Sequence, residues 1–272
     1  MSLDFYLSLS ALLITVIGAS HYFAKVKQRQ TPKRPVMFVS ALMIASLLSI
    51  AALYITFTTF TIWSLAVVLM SSMPLIMTAV FVVTFKESKP PLGNIQVKVG
   101  DKLAPFVTTR TDGSIFNSEL LNGQRVLLKF FRGSWCPYCS TELKMFEEMK
   151  PLFDSYQVKV VALSNDDHVS ASKHQQRDHL THTLLSDPQL KVIRQFGVEH
   201  HKALGGDSTS SKTIFGLPFP MVMKYKPMAI PTTLLIDENG IVQWIDQSED
   251  VRFRASEDKL EAALEKVFYT VT

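Results

Sequence analysis

The chain holds two cysteines, Cys136 and Cys139, separated by two residues in the stretch "LLKFFRGSWCPYCSTELKMFEEM". A thiolate, not a thiol, is the nucleophile in disulfide exchange. An apolar run enters this pair and a helical pattern leaves it. Cys136 therefore falls at a strand-to-helix turn, where free N–H groups and the helix dipole favour an anion. Pro137 suits the first helical turn because it has no N–H to lose there. Cys139 follows on the same helix face, so one turn brings the two sulfurs within bonding reach. The spacing predicts that Cys136 attacks a partner and Cys139 resolves the mixed intermediate. A Cys-x-x-Cys is also half of a zinc site. Its completion is poor here, because His200 and His201 are adjacent and point in different directions in a strand or a helix. No metal and no bound cofactor are expected. His168, His174, His179 and His182 lie in a polar stretch and read as solvated.

The elements that must position this pair follow from the patterning. "QRVLLKFF" is a continuous apolar strand suited to the centre of a sheet. After the cysteines, Leu143, Phe146, Met149 and Phe153 recur at helical spacing, and Pro151 marks an end or kink. "YQVKVVAL" and "HTLLSD" read as strands, and "HVSASKHQQRDHL" as a weakly patterned helix. "PQLKVIRQFGV" looks like a helix with Pro188 at its first turn and Gly197 after its end. "HKALGGDSTSSKTIFGLPFP" is long, Gly/Ser-rich and irregular, a surface loop that is either a tolerated insertion or a border of the partner groove. "AIPTTLLIDENGIVQWI" reads as a hairpin, and "SEDKLEAALEKVF" as an amphipathic helix capped by Ser256. Strand–helix alternation closing on a hairpin and a helix indicates a mixed α/β sheet covered by helices.

The N-terminal third is different. Between Phe5 and Phe85 the charged residues are Lys25, Lys27, Arg29, Lys33 and Arg34. Uncharged runs at about 5–24, 36–57 and 61–85 each approach or exceed the ~20 residues that cross a bilayer. They predict three transmembrane helices in residues 1–87, the last two joined by a turn at "TFTTFT". The N-terminus "MSLDFY" lacks the basic start of a cleaved signal peptide, so the first run reads as a retained anchor. Residues 88–96, with adjacent prolines, form a linker, and 97–272 form the redox domain. Of the net charge of +4, the N-terminal part supplies all: from Lys86 onward 23 basic residues face 23 acidic ones. No basic excess is left on that domain to meet nucleic acid. The five basic residues between the first two runs are instead a topology signal. They place that loop inside the cell, and three spans return the chain to the same side, where Lys86 and Lys89 fit the rule. A multi-pass protein of the cell (inner) membrane is expected, with the redox domain on the cytoplasmic side and the lipid bilayer as a partner.

From about Val97 to Phe268 the sequence resembles the peroxiredoxin-like (AhpC/TSA, redoxin) branch of the thioredoxin superfamily. "VGDKLAPFVTTRTDGSIFNSELLNGQRVLLKFF" is similar to its opening hairpin and first core strand, and "FFRGSWCPYCSTEL" to its active-site turn. "LLSDPQLKVIRQFGV" and "IPTTLLIDENGIV" then follow in the expected order. The resemblance implies a thioredoxin-like mixed sheet flanked by helices. It also implies a flanking role for Trp135 and a cis-proline at Pro231 that shapes the partner groove. Two positions depart from peroxiredoxin patterns. The threonine three residues before the peroxidatic cysteine is missing, whether Cys139 is that cysteine, with Cys136 in the threonine's place, or Cys136 is, with Gly133 there. The arginine opening the closing hairpin is replaced by Pro231, leaving Arg132 as its available substitute. The buried acid of thioredoxins falls at Lys129 or Phe130, so proton transfer to Cys139 has no assigned partner. These departures rank a thiol–disulfide oxidoreductase first, with protein or small-molecule disulfides and thiols as partners. A hydroperoxide-reducing thiol peroxidase and a non-enzymatic redox sensor are the alternatives.

Overall fold

The computed structural model describes residues 2–268, and the chain divides into two compact units after Glu87. In the first unit three helices, α1 (Leu3–Lys27), α2 (Val36–Thr59) and α3 (Ser64–Lys86), are each long and apolar enough to cross a membrane. Small and polar side chains line the buried stripes: Ser8, Ala11, Thr15 and Ala19 on α1, Ala45, Ser49 and Ala52 on α2. Small residues let helices approach closely where lipid removes the hydrophobic drive between them. Asp4 is turned into this bundle and accepts a hydrogen bond of 2.6 Å from the Thr56 hydroxyl. Burial of an acid without a partner would be costly.

The second unit runs β1 (Val107–Arg110), β2 (Ile115–Asn117), β3 (Arg125–Phe130), α4 (Pro137–Glu148), α5 (Lys150–Ser155), β4 (Val158–Ser164), α6 (His168–Asp178), β5 (Thr183–Ser186) and α7 (Lys191–Gln195). It continues with β6 (Glu199–Gly206), β7 (Ser211–Ile214), β8 (Leu217–Pro220), β9 (Met223–Ala229), β10 (Thr232–Ile236), β11 (Val242–Gln247) and α8 (Glu257–Phe268). The seven-stranded sheet has the order β11-β10-β3-β4-β5-β1-β2. β3, β4 and β5 are parallel, and β10 and β11 extend the sheet antiparallel. β3 is buried almost throughout because both its faces are covered, which is why it reads as an unbroken apolar run. One face packs Leu127 with Leu143, Phe146, Leu260 and Leu264 of α4 and α8; the other packs Leu128 and Phe130 with Ile193 and Phe196. Ser256 caps α8, its hydroxyl accepting from Lys259 N–H at 3.3 Å.

Three expectations are corrected. The stretch from His201 to Pro220 is not irregular. β6 pairs with β9, and β7 with β8, as two small antiparallel sheets separate from the main one. Phe215 and Gly216, with φ of 53° and 74°, make the tight turn between β7 and β8, and two successive positive φ values match the right-handed strand twist. Ser/Gly content and the shortness of β7 and β8, four residues each, hid the strands. His174 and His182 are buried, not solvated: each has an acid within reach, Asp178 at 3.1 Å and Glu147 at 2.6 Å. α7 begins at Lys191, after a left-handed Leu190, so Pro188 precedes the helix.

Candidate active site

β3 delivers the chain into the turn Phe131–Trp135, and α4 starts at Pro137 with Cys136 as its cap residue. Gly133 occupies this turn with φ of 141°, and a Cβ there would sit 2.8 Å from Trp135 Nε1 and 2.9 Å from Asp166 Oδ1. Only glycine fits both demands. The turn is gripped from two sides: Ser134 N–H donates to Asp166 Oδ2 at 2.6 Å, and Arg177 Nη1 donates to Ser134 O at 2.9 Å. Asp178 then accepts from Ser140, next to Cys139, as well as from Arg177 at 2.8 Å and His174 at 3.1 Å. Burial alone would raise the Asp178 carboxyl, but these hydrogen bonds win and hold it far below the usual range.

Both cysteines are reduced, buried and in side-chain hydrogen-bond contact. Their surroundings act on the two thiols in opposite directions. Burial, and then the neighbouring sulfur, push the Cys136 thiol well above its ordinary value. Burial acts the same way on Cys139 but is overcome by the hydrogen bond from Cys136, the Arg254 charge and the Arg132 backbone N–H. Arg254 Nη2 donates to Cys139 Sγ at 3.4 Å. Of the two sulfurs, Cys139 is the one whose neighbours favour the thiolate.

Arg254 arrives from the segment between β11 and α8, and its carriage explains a second oddity. Lys129, in the middle of β3, is 1% exposed. Its Nζ lies 2.6 Å from Glu142 Oε1 and donates to Thr233 Oγ1 at 3.0 Å. Arg254 Nε donates to the other Glu142 oxygen at 2.9 Å, and its Nη1 to Val251 O and Phe253 O at 2.7 Å. The buried chain Lys129–Glu142–Arg254–Cys139 thus pairs two cations with two anions. Burial raises the Glu142 carboxyl and lowers the Lys129 ammonium, each opposed by the other's charge. Glu142, the buried acid of this cluster, stands on α4 one helical turn beyond Cys139.

The Arg132 charge opposes the rise of the Cys136 thiol, while its side-chain contacts lie elsewhere. Its guanidinium stacks 4.9 Å from the Trp135 ring, donates to Leu204 O at 2.6 Å and reaches Met228 Sδ at 3.3 Å. It ties β6 and β9 to the active-site turn. Trp135 is itself covered: a Cβ on Gly206 would lie 2.9 Å from its ring and 2.2 Å from Pro220. Asn165 donates to Pro227 O at 3.3 Å, and Ser208 to Asp166. Together β6–β9 and β7–β8 form a cover over Trp135 and the cysteines. Pro231 leads into β10 beside this region, but no cis peptide bond occurs among the described residues, so the expected cis-proline is absent. The trans chain is held on both sides, Ile230 N–H donating to Val198 O at 2.7 Å and Pro231 O accepting from Ser248 N–H at 2.9 Å.

Of the residues singled out by sequence, Cys136, Cys139, Trp135, Pro137 and Arg132 converge here. Glu142, Arg254, Arg177 and Asp178 were missed, and Lys129 was noted only as the place of a missing acid. Lys129 had a signal, a charge inside the apolar run "VLLKFF", and Glu142 lies at helical spacing from Cys139. Arg254 had none.

Residues 99–245 match the AhpC/TSA family, and the chain belongs to it. Peroxiredoxin Bcp of Escherichia coli (strain K12) is 30% identical over 110 residues, 40% of this chain and 70% of that protein. The thiol-disulfide oxidoreductase ResA of Geobacillus thermodenitrificans is 25% identical over 150 residues, 55% of this chain and 69% of that protein. The crystal structure of peroxidoxin BcpB from Mycobacterium tuberculosis overlays with a TM-score of 0.49 at 25% identity, covering 63% of this chain and 99% of that one. The protein is a thiol-based oxidoreductase of thioredoxin-like, peroxiredoxin-like fold.

Proposed function

We propose that this protein is a membrane-anchored thiol peroxidase in which Cys139 is the peroxidatic cysteine and Cys136 resolves it. One observation carries the reading: the cation Arg254 sits on Cys139, in a site where both sulfurs are buried. A protein disulfide needs an exposed attacking sulfur, whereas a hydroperoxide is small enough to reach a buried one. The Cys139 thiolate attacks the distal oxygen of ROOH, the O–O bond breaks, and Cys139 becomes a sulfenic acid. The alkoxide leaves and takes a proton to give ROH. The Arg254 guanidinium faces the sulfur and stabilises charge as it moves onto oxygen. The Cys136 thiol then attacks the sulfenic sulfur, forming the Cys136–Cys139 disulfide and releasing water. A small dithiol, able like the hydroperoxide to enter the site, restores the pair by thiol–disulfide exchange.

Disulfide exchange was the first expectation from sequence, and the missing threonine and Pro231 in the arginine's place, which ranked it first, still stand. The Cys-x-x-Cys pair and the likeness to ResA keep it as the comparison arm of the test. Reduced full-length protein in detergent is mixed with hydrogen peroxide or with a protein disulfide. The expected result is rapid sulfenic acid on Cys139 in Cys136→Ser, and a Cys136–Cys139 disulfide in the parent. Mixed disulfides accumulating through Cys136 in Cys139→Ser, with no peroxide consumption by the parent, would reverse the assignment.

The three apolar helices support insertion in the cell membrane, and the basic loop Lys25–Arg34 supports a cytoplasmic face for the second unit. Lys173, exposed on α6, gives a reporter: Lys173→Cys in a Cys136→Ser, Cys139→Ser background should resist an impermeant thiol reagent in intact cells. Labelling without permeabilisation would invert the topology.

A further inference from the structure

Side chains along β3 alternate between the two faces of the sheet. Leu127 faces α4 and α8. Lys129, two residues on, comes up on the same face, where the pattern asks for an apolar residue. Its ammonium instead sits buried between Thr233, the cross-strand neighbour on β10, and Glu142. Stability is a weak reason for such a pair, because apolar side chains of similar volume commonly hold a fold as well or better. Its place near the sulfur supplies a stronger one. Arg254 reaches Cys139 Sγ through Nη2, while its Nε is held by Glu142 Oε2. Glu142 therefore aims the guanidinium, yet a carboxylate paired to it would cancel the charge that favours the thiolate. Lys129 takes the other oxygen, Oε1. The three groups together leave one net positive charge facing Cys139. That sum is the same whether the proton between Lys129 and Glu142 sits on one or on the other.

We propose that Lys129 is a positioning residue for the active sulfur: by holding Glu142 it leaves the charge of Arg254 to Cys139. Without Lys129, two acids, Glu142 and Cys139, compete for the single cation Arg254. A carboxyl is the stronger acid by about four pKa units, so Glu142 keeps the charge and Cys139 takes up a proton. With Lys129 and Glu142 both replaced by neutral residues, Arg254 faces the sulfur alone and the thiolate returns. The other surroundings of Cys139 are common to all these cases. They are the Cys136 side chain at the head of α4, the Arg132 guanidinium in the turn, and the apolar Trp135, Ala203 and Met228 of the same core cluster. The proposal rests on Cys139 as the ionised sulfur, not on the oxidant that it meets.

The experiment titrates Cys139 in the full-length protein in detergent, with Cys136→Ser present throughout so that one thiol is left. The ultraviolet absorbance of the thiolate is read against a Cys136→Ser, Cys139→Ser blank, and no reagent has to enter the buried site. The Cys136→Ser background should titrate below an ordinary thiol. Adding Lys129→Met should raise the midpoint by about one to two pH units, so that the thiolate present at neutral pH falls roughly tenfold. Lys129→Met with Glu142→Gln should bring the midpoint most of the way back down. A lysine that only fills space under α4 would leave the midpoint unmoved in both variants, and that result overturns the proposal. A midpoint raised equally in the single and the double variant overturns it as well, because charge sharing predicts the rescue. If thermal unfolding shows that Lys129→Met does not fold, Lys129→Gln carries the same expectation and the same refutation. A background that titrates as an ordinary thiol sinks the assignment of Cys139 as the ionised sulfur, and this proposal with it. A low background midpoint that Lys129→Met leaves in place sinks the role of Lys129 alone.

Discussion

Replacing Arg254 by methionine tests the central assignment, because its guanidinium donates a hydrogen bond to Cys139. At 3.4 Å from Cys139 Sγ, a unit charge contributes about 5 kcal/mol at an effective dielectric of about 20. Part of that is offset because Glu142 shares the same guanidinium. A hydrogen bond to a charged group is worth about 1.5–3 kcal/mol net, which moves a pKa by about 1–2 units. That lifts Cys139 back toward an ordinary thiol of about 8.5, where about 3% is thiolate at pH 7. In the Cys136→Ser background, trapping of the Cys139 sulfenic acid at neutral pH should therefore slow by about tenfold to thirtyfold. The sign of the pH dependence is the sharper readout. With Arg254 present, the depressed value keeps the thiolate populated down through neutral pH, and the rate falls only in acid. In Arg254→Met the rate should climb from neutral to alkaline pH and recover there. Arg254→Lys restores the charge without the fork and should fall in between. A profile identical to that of the parent, in a variant with unchanged thermal unfolding, would falsify the role of Arg254 and return the nucleophile to Cys136.

The remaining predictions concern the supports of the site. Glu142→Gln leaves Lys129 and Arg254 buried without their shared anion, and should cost about 3–5 kcal/mol in thermal or denaturant unfolding; Lys129→Met with Glu142→Gln should recover part of it, and a fully additive loss would rule the pairing out. Gly206→Ala drives a methyl against the Pro220 ring at 2.2 Å, so it should destabilise by about 1–3 kcal/mol and speed alkylation of Cys136 by loosening the cover; unchanged alkylation with a normal unfolding midpoint would refute the close packing. Asp178 has a depressed folded value, so its stabilisation is complete above the unfolded carboxylate pKa of about 3.9 and drains away as pH falls further. Asp178→Asn should accordingly flatten the acid limb of the stability curve by up to ~1.4 kcal/mol per pH unit, and an acid limb as steep as the parent's would contradict the network.

Sequence alone determined the parts whose physics is local. The apolar run of β3, the helical recurrence after Cys139 and the "DENG" hairpin each needed only periodicity and turn chemistry. The three long apolar helices needed only length and the absence of charge. The pair Cys136–Cys139 was legible because two sulfurs on one helical turn meet whatever the rest of the chain does. Which of them carries the charge was not legible, since that depends on Arg254, 115 residues further on and brought to Cys139 by the packing of the segment before α8. The same holds for Lys129: a lysine inside an apolar strand is a contradiction until Glu142 and Thr233 are folded around it. The cover was misread as loop because its glycines and serines carry no strand signal and its pairing, β6 with β9, is long-range. Its closeness to Trp135 is set by two backbones meeting at Gly206, and an approach of that kind leaves only an unremarkable glycine in the sequence. Local pattern writes the elements; the electrostatics of a buried site are written by residues that only the folded chain makes neighbours.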